Sequence, residues 1–183
     1  LTHKYFEGKV PAKGALEVRD QEVIDAIKTY PEKIEASMNQ FKFREALNHL
    51  MDLARTGNKY LADTEPWKLI KTDEARVETI MNLALQIAGS LTILSEPFLP
   101  FTAEKLKTML NQTNIKWDQA GTVDLLDAGQ PIEKPILLFE KIEYICIHMH
   151  TLFYHALFYC TLQILQFYKL KVCGNPASLE QIC

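Results

Sequence analysis

A chain of 183 residues, 48% of them apolar, is long enough to bury a core and too apolar to be disordered, yet too mixed to be wholly membrane-embedded. Its formal net charge of -3 argues against a general polyanion binder, so any nucleic-acid role has to rest on locally gathered cations. No secretory signal or transit peptide is visible at the start, and the first residue is Leu rather than Met, so the chain is expected to begin inside a larger, cytoplasmic protein.

Residues 1–6 read as the end of a helix, with Gly8 as a stop signal and a loop through Pro11 and Gly14. Asp20 is placed to cap the next helix, although Val23 stands where the Glu of a capping box belongs. Val23, Ile27, Tyr30, Ile34, Met38 and Phe41 form its apolar stripe, and Pro31 predicts a kink or local break inside it. A second helix is expected over 43–63, with Phe43, Leu47, Leu50, Ala54 and Leu61 on one face. The short connection makes the two antiparallel neighbours.

The stretch Asn58-Lys59-Tyr60 to Pro66-Trp67-Lys68 closes that helix. Proline lacks an N–H and clashes with the preceding turn, so the helix is expected to stop before Pro66, leaving 65–72 irregular. Trp67 then lies just past a helix end. A Trp there serves either as a core anchor or as a stacking platform for a nucleic-acid base. Lys42, Arg44, Arg55, Lys59, Lys68 and Lys71 cluster around it in sequence, as a solvated face or as a local basic patch.

Asp73 should cap a long helix to about Ser95. Val77, Ile80, Ala84, Ile87, Leu91 and Leu94 form its main face, widened by Leu83, Leu85, Ala88 and Ile93, which predicts a central position. Gly89 leaves room for a close neighbour. Leu47, Leu50, Ile80, Ala84, Ile87 and Leu91 are expected among the most buried residues. Pro97 and Pro100 bracket a turn, Thr102 is placed to cap a short helix to about Leu110, and Trp117 is expected to pack over one end of the bundle within a polar, turn-rich 111–135. The fold class is all-α, an antiparallel helical bundle without a sheet over 16–110.

At these residues the chain resembles the anticodon-binding domain of methionyl-tRNA synthetase. The resemblance runs over residues 1–143. It rests on the ordered set of Thr2-His3-Lys4-Tyr5-Phe6, Lys9-Val10-Pro11, Asn58-Lys59-Tyr60, Pro66-Trp67 and Pro97-Phe98-Leu99-Pro100. It implies the class I synthetase type of helical bundle and contact between Trp67 and the anticodon of methionine tRNA. Asn58, Lys59, Pro66 and Lys68 are the other expected tRNA-binding residues, the two lysines near phosphates. The family's first helix also carries an Asn and an Arg that read the anticodon. This chain starts after them, so no residue here inherits those roles.

Catalytic chemistry is not expected. There is no phosphate-cradling Gly-x-x-x-x-Gly-Lys or Gly-x-Gly-x-x-Gly loop, and no Ser/His/Asp set stands out. The parent implied by the resemblance is an ATP-dependent methionine–tRNA ligase whose catalytic domain lies elsewhere, so no catalytic residue, metal or cofactor is assigned to this chain.

Residues 144–183 depart from the pattern. All four Cys, at 146, 160, 173 and 183, lie there, read as reduced thiols. From Tyr144 to Tyr168 there is no Asp, Glu, Lys or Arg, which length alone makes compatible with a membrane span, and Cys146, His148, His150, His155 and Cys160 match no standard metal spacing. The preferred reading is a tail foreign to the family, a product of a frame error or read-through, helical over 144–170 if folded and loosely packed at most. The rival function is a helical interaction module whose apolar tail docks on a membrane or a partner.

Overall fold

A computed structural model describes residues 1–113 and 115–139; the expected tail helix, its packing and the Cys/His grouping lie outside them. Among the described residues six α-helices follow in order: α1 (Thr2–Tyr5), α2 (Val18–Asn39), α3 (Phe43–Thr64), α4 (Pro66–Leu69), α5 (Glu74–Ser95) and α6 (Pro100–Met109), with a 3-10 turn at Trp117–Gln119. Among the described residues there is no strand, only an isolated bridge between Lys9 and Pro131. The architecture is the expected all-α antiparallel bundle.

The three long helices have 22 residues each, about 33 Å of rod at 1.5 Å per residue. α2 and α3 form a hairpin, and both pack on α5. Asp73 caps α5 as expected, accepting from the Arg76 amide at 2.9 Å. α5 is the one described helix long and apolar enough to cross a membrane, and it is instead the buried centre of the bundle. Its apolar residues Val77, Ile80, Leu83, Ile87 and Leu94 are buried. Asn82, Gln86 and Ser90, four residues apart, are buried too, and they hold the irregular segments. Asn82 Nδ2 donates to Pro11 O (2.8 Å), Gln86 Nε2 to Leu126 O (2.8 Å), and Ser90 Oγ to Ala120 O (2.9 Å). A stripe of polar residues thus satisfies backbone groups that segments without a ladder leave unpaired.

Several expectations are corrected. Asp20 is not the cap of α2. Glu17 is, and Asp20 at the third helical position completes a capping box by accepting from the Glu17 amide at 2.8 Å. α2 runs through the buried Pro31 without a break. Phe41 and Phe43 are exposed and pair edge-on at the hairpin tip. The buried residues of α3 are Ala46, Leu50, Met51, Leu53, Ala54, Gly57 and Tyr60, so of the sequence stripe Leu50 and Ala54 are buried, Leu47 and Leu61 half-buried and Phe43 exposed. Leu50, Ile80 and Ile87 are deeply buried, whereas Leu47, Ala84 and Leu91 are half-buried on the flanks. Leu99, not Thr102, precedes α6, and Pro100 occupies its first turn, where the missing N–H costs nothing. Gly89 does admit close neighbours: a Cβ there would stand 3.0 Å from Gln112 Nε2. Trp117 packs half-buried against the main core.

Candidate nucleic-acid interface

α3 ends because Glu65 turns into the left-handed region, with φ 42. Pro66 then starts a new helix instead of beginning an irregular stretch: its fixed φ suits a first helical position, and α4 follows at once. Pro66 is buried, Leu69 packs on the main core, and α4 lies on α5. Trp67 is therefore carried on a short, anchored turn and is half-buried.

The other expected residues divide by position. Lys68 is exposed on the same turn, its Nζ 2.7 Å from Glu65 Oε2. Lys59 is exposed and has no ion pair with a described residue. It lines a small open groove of about 50 Å³ between α2 and α3 with Arg19, Glu22, Tyr60 and Asp63. Arg19 and Asp63 meet there at 3.4 Å. Asn58 is half-buried, and its side chain makes no hydrogen bond among the described residues. Asn58 precedes the end of α3 by six residues, about 9 Å along the axis. Lys42 and Arg44 sit at the far end of α3, about 30 Å away. Arg55 pairs with Asp52 at 2.6 Å. The basic cluster seen in sequence thus separates, leaving Lys59, Lys68 and Lys71 toward the Trp67 end.

Behind this corner lies a set of residues whose role sequence reasoning missed. Asp20 has a side-chain exposure of 0% and takes a two-point fork from Arg76, Nη1 to Oδ2 at 2.7 Å and Nη2 to Oδ1 at 2.8 Å. The buried Tyr60 hydroxyl donates to Asp20 Oδ1 at 2.6 Å, and Arg76 Nε reaches Glu17 at 3.1 Å. Burial pushes the Asp20 carboxyl up, but the bonds from Arg76, the Glu17 amide and Tyr60 outweigh it and hold the carboxyl below its ordinary value. Burial, then the bond to Asp20, pushes the Tyr60 hydroxyl well up. The bond to Asp20 raises Arg76 further. Aspartate, arginine and neutral tyrosine are therefore the resident forms at neutral pH. The available signal was Tyr60 itself, inside the motif, but apolar periodicity says nothing about which charged residues turn inward.

Among the described residues no group of three or more potential metal ligands occurs.

A family model described as the anticodon binding domain of methionyl tRNA ligase matches residues 10–146. Methionine–tRNA ligases of Cytophaga hutchinsonii and Bacteroides fragilis are 57% and 54% identical over 143 residues, 78% of this chain and 21% of each relative. The chain thus spans about a fifth of the length of these curated relatives. In fold it is similar to Mycobacterium tuberculosis methionyl-tRNA synthetase in its apo form, with a TM-score of 0.70 at 21% identity over 78% of this chain and 30% of that one.

Proposed function

Because this chain belongs to the family of methionyl-tRNA ligase anticodon-binding domains, we propose that it recognises the anticodon loop of methionine tRNA on behalf of a methionine–tRNA ligase. The observation that carries the reading is the Trp67 indole, half-buried on a turn fixed by a buried proline at the end of α3. Unpaired anticodon bases can be splayed out and stacked on an aromatic side chain, and one such stack is worth about 1–3 kcal/mol. A ring held by its anchored backbone offers that surface with little ordering cost.

Lys59 and Lys68 supply the positive charge that an acidic domain must gather locally. Lys68 exchanges Glu65 for a phosphate at small cost, since an exposed ion pair is worth about 0–1 kcal/mol. The Asn58 amide serves a polar edge of the loop. Ligation itself, with ATP and the catalytic chemistry, falls to the remainder of a ligase of which these residues match about a fifth. Family membership favours this reading over a module that docks through an apolar tail.

Titrating the chain with methionine tRNA and with the same tRNA carrying an altered anticodon tests the proposal. Weaker binding of the altered tRNA supports it; equal binding of the two contradicts it.

A further inference from the structure

The segment that carries Trp67 leaves α3 and enters α5, and a single carboxylate holds both of its ends. Tyr60 lies seven residues before Trp67 and Arg76 nine residues after it. Both bond to Asp20 on a third helix, at 2.6 Å and at 2.7 and 2.8 Å. We propose that Asp20, acting through Tyr60 and Arg76, is a positioning residue for the RNA-binding corner; this rests on the tRNA reading above.

Three observations support it. First, the network does not offer itself to RNA: Asp20 is fully buried, the Arg76 side chain is 12% exposed, and its Nη1, Nη2 and Nε are all engaged with Asp20 and Glu17. Its influence on a ligand has to pass through the elements it joins. Second, the geometry is directional. The planar guanidinium matches both carboxylate oxygens at once, which fixes the angle of the α5 start against α2 as well as the distance. The Tyr60 hydroxyl then sets the last turns of α3 against the same atom. Third, the corner between these anchors has little slack of its own. Glu65 is left-handed, Pro66 has a fixed φ, and α4 is four residues long and lies on α5. A shift of α3 relative to α5 is therefore passed to the indole.

The test uses the 183-residue chain with Trp117→Phe, so that Trp67 is its one indole. Tyr60→Phe and Arg76→Lys keep the ring and the charge but remove the shared hydroxyl bond and the fork. Ile93→Val, buried seventeen residues beyond Arg76 toward the other end of α5, is the comparator for plain destabilisation. Acrylamide quenching of Trp67 and affinity for a methionine tRNA anticodon stem–loop are measured well below each variant's melting temperature. The expected result is a changed Trp67 quenching constant and about three- to tenfold weaker binding in Tyr60→Phe and Arg76→Lys, with Ile93→Val matching the parent in both. Unchanged quenching in both network variants, or the same change in Ile93→Val, overturns the proposal. Trp67→Ala is run alongside. If it binds the stem–loop as the parent does, the RNA reading fails on its own account, and quenching still decides whether Asp20 positions Trp67.

Discussion

Arg76 meets Asp20 as a two-point fork, with Nη1–Oδ2 2.7 Å and Nη2–Oδ1 2.8 Å, and links the first turns of α2 and α5 in the interior of the bundle. Breaking a buried pair by removing one partner leaves the other charge uncompensated. Asp20→Ala or Arg76→Ala is expected to lower unfolding stability by about 3–5 kcal/mol. Urea unfolding followed by circular dichroism checks it. A loss below about 1 kcal/mol would match an exposed pair instead.

The same group predicts how stability changes with pH. Asp20 has a depressed folded value, so its contribution is present above the unfolded value of about 4 and is lost as pH falls through the folded one. Tyr60 has a raised folded value, so its contribution is present below about pH 10 and is lost as pH rises past that point, where the unfolded tyrosine ionises. In unfolding measurements across pH, the stability gap between wild type and Tyr60→Phe should narrow above about pH 10. A gap that widens there reverses the assignment.

The α3–α5 contact is tight at Gly57. A Cβ on Gly57 would stand 3.2 Å from Ile87 Cγ2 and 3.3 Å from Ile87 Cδ1. Alanine gains about 0.5–1 kcal/mol in a helix interior, but overpacking costs about 1–3 kcal/mol. Gly57→Ala should therefore destabilise, and Ile87→Val, by removing Cδ1, should recover part of the loss in the double variant. A stabilised Gly57→Ala shows that the neighbours yield.

Much of the fold was legible in the sequence. Long apolar stripes and Asp73 before a helix each report a local physical preference, and the three long helices stand close to where those preferences put them; the helix starts at Pro66 and Pro100 were read as turns because proline ends one helix and begins another equally well. The legible part of the candidate site was its backbone: a helix end, a proline and a tryptophan. Which charged residues turn inward was not legible. Asp20 looked like a cap because Asp is a favoured residue just before a helix, and only the packing of three helices shows that it receives Tyr60 and Arg76. The exposed Phe41 and Phe43 misled for the related reason that periodicity cannot tell a core stripe from one that runs off the end of a hairpin.

The local charges predict a salt dependence. If Lys59 meets a phosphate of the loop, Lys59→Ala should weaken binding of every methionine tRNA variant by a similar factor. It should also make the plot of log affinity against log salt shallower by about 0.7 to 0.9. Loss of affinity with an unchanged slope removes Lys59 from the phosphate contacts.

Melting temperature and methionine tRNA affinity measured on one sample of Trp67→Ala test the central claim most directly. A half-buried stacking platform predicts binding weaker by about 1–3 kcal/mol, with the variant still folded at the assay temperature and Trp67→Phe retaining part of the affinity. The opposite result is a stability loss of about 3–5 kcal/mol, the cost of truncating a core aromatic, while the remaining folded fraction binds the tRNA as wild type does. That outcome would make Trp67 a packing residue and contradict its role as the base platform.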